Sequence, residues 1–208
     1  MPKLTPRRRK ELQALRFNTR KFLGDVGLKQ PAGEKNFTAL EQIWLRPTAE
    51  VNGIIGGYTG EGSKTVLPSK ASAKLTFRLV AGQNPTKIRK AFRAFIRRHL
   101  PKDCTAEFHN QTADNHGVSV SADSIWVAAA RKALKDEWGR KPVIGGEGGS
   151  IPVVGAFARY LGADSLLVGF SRANDAVHSP NEKYDLDCFQ RGARSWARLI
   201  AGLAEGAK

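Results

Sequence analysis

The segment 71–80 constrains the fold most, because its side chains alternate strictly between apolar and polar. Its apolar face holds Ala71, Ala73, Leu75, Phe77 and Leu79, and its polar face holds Ser72, Lys74, Thr76 and Arg78. This period of two predicts a strand with one buried face. Asn84 and Pro85 then predict the cap and first turn of a helix that ends at Pro101. With a further alternating segment at 104–108, the pattern predicts a small α+β sandwich with helices on one face of an antiparallel sheet.

The chain before this strand is predicted to contain a tail, a helix and two more strands. Residues 1–10 are expected to form a disordered basic tail, and residues 11–24 a short helix. Residues 38–46 and 50–58 are predicted as strands. Gly53 and the glycines that follow it indicate a bulge or a close backbone approach in the second of these strands.

The pattern changes near residue 113, after which helices and short apolar segments alternate. One helix is predicted to follow a cap at Ser121–Asp123 and to end at Gly139. Further helices are predicted at 151–161, with Val154, Phe157 and Leu161 inward, and at 185–203, and strands at 142–145 and 164–170. The last helix is predicted to bury a stripe formed by Leu186, Phe189, Ala193, Trp196, Ile200 and Leu203. Such alternation predicts a partly parallel α/β layer.

The charge of the chain is strongly positive, with 34 Lys and Arg against 19 Asp and Glu and a net charge of +15. The excess is concentrated in residues 3–21 and in the predicted helix at 87–98. Such stretches either bind nucleic acid or form solvated faces. They lack regularly interleaved aromatic residues and a nucleic-acid motif, so the sequence favours the solvated face and makes nucleic acid an unlikely partner.

Other features bear on the location of the chain. No apolar stretch approaches the roughly 20 residues of a membrane helix, so no membrane partner is expected. The two cysteines, Cys104 and Cys188, lie far apart and lack the spacing of a metal site. This usage predicts a reducing, cytoplasmic setting.

Two polar motifs suggest a hydrolytic site. Gly148–Pro152 places a Gly-Gly turn and a hydroxyl before a predicted helix, where free N–H groups suit a carboxylate or an oxyanion. His178–Glu182 places a histidine in a polar turn after an apolar segment, where it is free to bind a metal or move a proton.

Six short motifs carry a family resemblance that extends along nearly the whole chain: Arg46–Thr48, Val51–Gly60, Lys64–Pro68, Ala73–Val80, Gly148–Pro152 and His178–Tyr184. In these motifs the sequence resembles the C-terminal part of the M20 metallopeptidases, in particular their dipeptidase and carnosinase-like branch. The resemblance implies a mixed α+β and α/β fold. A ferredoxin-like lid and dimerisation domain would cover residues 11–112, and the C-terminal portion of a zinc-peptidase-like α/β catalytic domain would cover residues 113–208.

The resemblance also implies roles for five residues. His178 matches the last metal ligand of the family, and Gly149 and Ser150 match the turn that binds the C-terminal end of the substrate. Arg78 and Thr65 match lid residues that contact the substrate in the partner subunit's site. Each residue also has a purely structural interpretation, namely a turn histidine, a helix cap, a solvated strand arginine and a turn hydroxyl.

Three other motifs of the family are absent from the sequence. They are the His-x-Asp ligand pair, the Glu-Glu pair that supplies the general base, and the Asp-Leu-His-Ser-Gly motif whose histidine stabilises the oxyanion. A catalytic zinc normally has three protein ligands, and the resemblance supplies His178 alone. We therefore assign no catalytic residue and expect an M20-like dipeptidase fragment with little or no activity by itself, whose family uses zinc, manganese or cobalt.

The expected partners follow from the same resemblance. They are a second copy of the chain, bound through the lid, a small peptide substrate, and an upstream N-terminal catalytic fragment. Two alternatives stay open. The chain could be a non-catalytic dimerisation or partner-binding module or, as the least favoured alternative, a basic nucleic-acid-binding protein.

Overall fold

The computed structural model describes residues 4–109, 115–148 and 151–206. Its contacts divide the chain into two units: Met1–Val118 with Gly146–Gly155, and Ser119–Gly145 with Ala156–Lys208. Residues 146–155 thus group with the first unit, although the sequence placed them in the second domain. The predicted domain boundary at 112/113 stays a prediction.

Three short helices open the first unit: α1 (Pro6–Gln13), α2 (Thr19–Gly24) and α3 (Ala39–Leu45). The prediction of a disordered tail over residues 1–10 is wrong from Pro6 onward. The Thr5 hydroxyl caps α1 by accepting the N–H of Arg8 at 3.2 Å. Arg9 then anchors the helix through a 2.9 Å ion pair with Glu41. The single helix predicted at 11–24 is split between α1 and α2.

The strand predicted at 38–46 is also wrong, because this segment forms α3. A reciprocal capping box starts the helix. The Thr38 hydroxyl accepts the N–H of Glu41 at 3.3 Å, and the Glu41 carboxylate accepts the N–H of Thr38 at 2.7 Å. These two bonds satisfy N–H groups that the first turn of a helix leaves without partners. They favour a helix in this segment, although its apolar content had suggested a strand.

A two-stranded antiparallel sheet follows, made of β1 (Thr48–Gly56) and β2 (Ala71–Arg78). Both strands were predicted, and the glycine signal for a bulge is confirmed by a shift of register between Val51 and Gly53. One face is mainly polar, whereas the other is apolar and contacts the next helix.

Helix α4 (Pro85–His99) has the predicted start, since the Asn84 side chain accepts the N–H of Lys87 at 3.0 Å. Phe92 on this helix packs edge-on against Phe77 of β2, with ring centroids 5.1 Å apart. The strand predicted at 104–108 does not form, and among the described residues the sheet keeps two strands. Its Phe108 instead packs on Phe92, with ring centroids 6.4 Å apart. A two-stranded antiparallel sheet with a helix packed on one face is an α+β arrangement, and this predicted class is confirmed.

The second unit is built on a pair of helices, α5 (Ile125–Trp138) and α7 (Leu186–Gly206). Its core contains Ala130, Ala133 and Leu199, with Leu166, Val168 and Leu203 packed against them. Helix α5 ends at Gly139 in the left-handed conformation, as predicted, but its cap is Ser124 rather than Ser121–Asp123. No helix among the described residues is long and apolar enough to cross a membrane.

The buried stripe of α7 differs from the predicted one. The buried positions are Cys188, Gly192, Ser195 and Leu199. Most of the predicted stripe lies on the surface: Leu186, Phe189, Trp196 and Ile200 are 77%, 62%, 41% and 63% exposed. The helix therefore has two apolar faces, and the described residues cover only one of them.

The short helix α6 (Pro152–Ala156) and a π-helical turn (Phe157–Leu161) confirm the helical prediction at 151–161. The predicted inward orientation is wrong for Phe157 and Leu161, which are exposed. The strands predicted at 142–145 and 164–170 are also wrong, because neither segment joins a sheet among the described residues. A strand needs a neighbour for its backbone hydrogen bonds, whatever its own pattern.

Candidate functional site

The first candidate residue, Arg78, lies at the end of β2 beside Glu50. Its Nε donates to the two carboxylate oxygens of Glu50 at 3.0 and 3.3 Å. The hydroxyls of Thr48 and Thr76 donate to the same carboxylate at 3.0 and 3.2 Å. Partial burial disfavours the ionised form of Glu50, yet the hydrogen bonds from Thr48, Arg78 and Thr76 together lower its pKa. Arg78 is thus oriented by an ionised partner on the neighbouring strand.

Arg78 also reaches the Gly-Gly turn that the sequence singled out. Its Nη1 donates to the carbonyl oxygen of Gly148 at 2.6 Å. Gly146 runs so close to the carbonyl of Trp44 that a side chain would not fit there. The structure therefore brings Arg78 and the start of this turn together. The two predicted turn residues themselves, Gly149 and Ser150, lie outside the described residues.

Thr65 lies in the exposed connection between β1 and β2. Among the described residues, no hydrogen bond joins it to Arg78 or to the Gly-Gly turn. Its neighbours Val66 and Leu67 are 69% and 88% exposed. This connection is therefore an apolar surface loop rather than part of the Arg78 cluster.

The second candidate residue, His178, lies in the turn that precedes α7. Its backbone adopts the left-handed conformation with φ of 61°, which is uncommon for a residue other than glycine. Its N–H donates to the Glu182 carboxylate at 3.3 Å, and the residue is exposed. Ala176 and Asn181 are also left-handed, with φ of 53° and 60°. Three residues of this turn thus adopt the left-handed conformation, and a hydrogen bond from its own N–H to Glu182 fixes the backbone of His178.

Asp175 anchors this turn from inside, with only 1% of its surface exposed. Its carboxylate accepts the N–H of Arg172 at 2.6 Å and the Nζ of Lys183 at 2.9 Å. The N–H of Lys183 in turn donates to the Asp175 carbonyl at 3.0 Å. The bond from the Arg172 backbone and then that from the Lys183 ammonium lower the pKa of Asp175.

Arg172 joins the same turn to the first turn of α7. Its guanidinium pairs with Asp185 at 2.8 Å and with Asp187 at 3.0 Å. Its Nε also lies 3.1 Å from the sulfur of Cys188. These contacts fix the ends of the segment that carries His178.

Comparison with known proteins relates the chain to one family. Residues 9–104 match the peptidase dimerisation domain, M20_dimer. The chain is 27% identical to the Cys-Gly metallodipeptidase DUG1 of Saccharomyces cerevisiae, over 97% of this chain and 42% of that protein. It is 25% identical to the human Beta-Ala-His dipeptidase, over 80% of this chain and 33% of that protein. Among solved structures, it superposes with a TM-score of 0.78 on the M20 family metallo-carboxypeptidase Sso-CP2 from Sulfolobus solfataricus. That match has 27% identity and covers 96% of this chain and 45% of the other.

The chain therefore contains an M20 peptidase dimerisation domain over residues 9–104 and is similar to metallodipeptidases along most of its length. Its match is to the C-terminal part of metallodipeptidases, which are hydrolases, and it spans less than half of their length. The predicted family and its dimerisation domain are thereby confirmed. The roles assigned to individual residues of this M20 chain stay predictions.

The described residues of this M20 chain do not form a metal centre by themselves. Among them, no group of three His, Cys, Asp or Glu side chains is arranged to hold a metal ion. His178 is exposed, and the carboxylate of Glu182, four residues further on, is engaged with its backbone N–H. A complete site in an M20 enzyme would therefore require ligands beyond those described here.

Sequence reasoning missed Glu50 and Asp175, the two carboxylates that organise the candidate residues. Glu50 lies in a strand that was predicted correctly, and its position on the polar face was a usable signal. Asp175 lies in a polar segment three residues before His178, and no sequence signal marked it as the buried carboxylate of that turn.

Proposed function

We propose that this chain supplies the lid, the carboxylate-binding elements and one metal ligand of an M20-type dipeptidase. The arrangement of Arg78 carries the proposal. Glu50 orients its guanidinium, which stays half exposed and is therefore able to reach a substrate carboxylate in the partner subunit's site, as the family resemblance implies. The substrate class is a small peptide with a free C-terminal carboxylate. The remaining metal ligands and the general base would come from a polypeptide segment equivalent to the part of the relatives that this chain does not match.

Arg78 suits the recognition of a carboxylate on physical grounds. A guanidinium presents parallel N–H donors that match a carboxylate in a bidentate pair. Its side chain is half exposed, and Glu50 already holds one edge, so the cation is both oriented and accessible. Gly149 and Ser150 would add backbone N–H and hydroxyl donors, and Thr65 would contribute a hydroxyl from the lid of the second subunit.

His178 is proposed as a metal ligand through a neutral imidazole, which is a common ligand of zinc. Zinc, manganese or cobalt, when bound, would supply Lewis-acid chemistry at the peptide carbonyl. Because Asp175 and Arg172 fix the turn at both ends, the His178 backbone would already be placed when the other ligands arrive.

The surface of the second unit supports the need for a complementing segment. The exposed stripe of α7 and the segments 142–145 and 164–170 are surfaces of apolar composition that an α/β layer would cover. The free state of Cys104 and Cys188 fits the proposal that the assembly works in the reducing cytoplasm.

Complementation tests the function directly. The purified chain should not hydrolyse dipeptides. Mixing it with a polypeptide that carries the His-x-Asp and Glu-Glu motifs should give metal-dependent hydrolysis. In the mixture, Arg78→Ala should raise KM by about tenfold or more, since a charge-assisted hydrogen bond is lost, and Arg78→Lys should recover part of this. His178→Ala should abolish turnover.

His109→Ala is the matched control for His178→Ala, because His109 is an exposed histidine of the first unit. It should leave turnover unchanged. Equal loss in both variants, or robust hydrolysis by the isolated chain, would contradict the proposed roles.

We also propose that the dimerisation domain forms a homodimer through the sheet and its connecting loop. Ile54 of β1 is 76% exposed, and Val66 and Leu67 of the loop are more than two-thirds exposed, so an apolar surface is available. Sedimentation at micromolar concentration should show a dimer that Ile54→Asp weakens. Val26→Asp, at a similarly exposed apolar position of the same unit, should have no effect.

The same apolar surface favours the second candidate function, a non-catalytic module that pairs with itself or with another protein. This alternative would be adopted if a dimer forms but no complementing polypeptide restores hydrolysis.

A further inference from the structure

Helix α4 carries the largest concentration of unbalanced positive charge in the described part of the chain. It contains six Lys and Arg and no acidic residue: Lys87, Arg89, Lys90, Arg93, Arg97 and Arg98. Lys87, Lys90, Arg97 and Arg98 are exposed. At 100° per residue they fall on one face of the helix, together with the small residues Ala91 and Ala94. We call this face the α4 stripe.

The second basic stretch of the sequence behaves differently. On α1, Arg7 and Arg8 lie 3.8 and 3.0 Å from Glu11, and Arg9 lies 2.9 Å from Glu41. No ion pair joins a cation of the α4 stripe to an acidic residue within the described ranges. The two stretches look alike in sequence, but within the described ranges cations of α1 have acidic partners and those of the α4 stripe do not.

Aromatic rings lie next to the α4 stripe, which the sequence pattern alone did not reveal. Phe95 is 55% exposed and packs against the His99 ring, with centroids 4.1 Å apart. The guanidinium groups of Arg93 and Arg97 lie 5.3 and 5.4 Å from the Phe108 ring centroid, which restrains them at the edge of the stripe. Glu107 lines the same shallow cleft and pairs with His109 at 3.1 Å.

We propose that the α4 stripe binds the sugar–phosphate backbone of single-stranded nucleic acid, with Phe95 stacking on a base. From Lys87 to Arg98 the stripe extends about 16 Å along the helix axis, which is long enough to contact several phosphates of one strand. The combination of a cationic track with an exposed aromatic ring is typical of single-strand binding that does not depend on sequence. The alanines between the cations leave room for the strand to approach.

An anionic membrane is a poorer match to the same charges. A basic amphipathic helix binds a lipid surface by inserting its apolar face. In α4 that face is already occupied, since Phe92 packs on Phe77 of β2 and on Phe108. The stripe can therefore meet a polyanion along its charged face but has no free apolar face to insert.

The test uses the full chain and a fluorescein-labelled 20-nucleotide single strand of random sequence, measured by anisotropy between 50 and 200 mM NaCl. The stripe variant replaces Lys87, Lys90, Arg97 and Arg98 with Gln, which preserves helix propensity. The control variant replaces Lys29, Lys35, Lys64 and Lys70 with Gln, four exposed cations of the same unit that lie outside α4. Both variants lose the same net charge.

Wild type and the control variant should bind with the same slope of log affinity against log salt. In the stripe variant the magnitude of that slope should fall by about three. Each neutralised phosphate of a single strand contributes about 0.7, and the variant removes four cations. Phe95→Ala should weaken binding at least about fivefold without changing the slope. Circular dichroism should show unchanged helix content in each variant.

Three results would overturn the proposal. The first is no binding by the wild type at 50 mM NaCl, and the second is an equal loss in the stripe and control variants, which would assign the binding to net charge. The third is a preference for vesicles containing 30% phosphatidylserine, or for a 20-base-pair duplex with Phe95→Ala unaffected. Because no metal or dipeptide enters this test, its outcome is independent of the peptidase proposal.

Discussion

The helix pair α5–α7 and the turn 171–185 adjoin in one unit but are held by different forces. The helix pair encloses apolar side chains such as Leu199 and Ala133, and Glu137 supports it by pairing with Arg194 at 2.7 Å. In the turn, the only buried residue among those described is a carboxylate, Asp175. The turn that carries His178 therefore depends on ionised groups, whereas the helices depend mainly on packing.

The strongest way to test the packing side of this comparison is Leu199→Ala. Leu199 is 3% exposed in the core between the helices, so its truncation should cost about 2–4 kcal/mol in the free energy of unfolding. Ile200→Ala, at the next position but 63% exposed, should change stability by no more than about 0.5 kcal/mol in the isolated chain. Urea unfolding measures both. Similar costs at the two positions would mean that the outer stripe is also packed.

Two glycines of α7 should respond in opposite directions to the same substitution. A methyl group at Gly192 would lie 2.8 Å from the Phe170 ring, so Gly192→Ala should cost about 1–3 kcal/mol. A methyl group at Gly202 would meet Ala129 at an ordinary 3.9 Å, so Gly202→Ala should stabilise the chain by up to about 1 kcal/mol through helix propensity. Thermal unfolding gives the two signs, and a stabilising Gly192→Ala would refute the packing of Phe170 on this helix.

The smallest effect on overall stability, and the most dependent on pH, is expected at the turn. The pKa of Asp175 is lowered in the folded chain, so its contribution is fully present above the unfolded pKa of about 3.9 and is lost as the pH falls below it. Asp175→Asn should remove this dependence. Amide exchange of residues 172–183 should speed up in the variant at pH 6, and the difference from wild type should shrink below pH 4. Exchange within α5 serves as the internal control.

Elements with local signals were predictable from the sequence. Strand 71–80 was given by its alternation, α4 by Asn84 and Pro85, and the end of α5 by Gly139, because each signal acts within a few residues of its effect. The capping box of Thr38 and Glu41 was a signal of the same kind that was overlooked.

Features that depend on distant partners were not predictable. The segment 164–170 has a strand composition, but no neighbouring strand is present among the described residues. Helix α7 has two apolar faces, and periodicity cannot say which one is covered. Likewise, the polar-face position of Arg78 was predicted, whereas its contact with Gly148, far along the chain, required the structure.

The exposed stripe of α7 also gives the chain an optical reporter. Trp196 is 41% exposed on that stripe. Trp138 is half-buried, stacked on Phe170 with ring centroids 5.7 Å apart, and its Nε1 donates to the Ser195 hydroxyl at 2.9 Å. Indole emission moves to shorter wavelength when water leaves the ring. Covering the stripe should therefore shift the intrinsic fluorescence of Trp196 while that of Trp138 stays constant. In a Trp196→Phe variant the shift should vanish, so assembly could be followed without a label or an enzymatic assay.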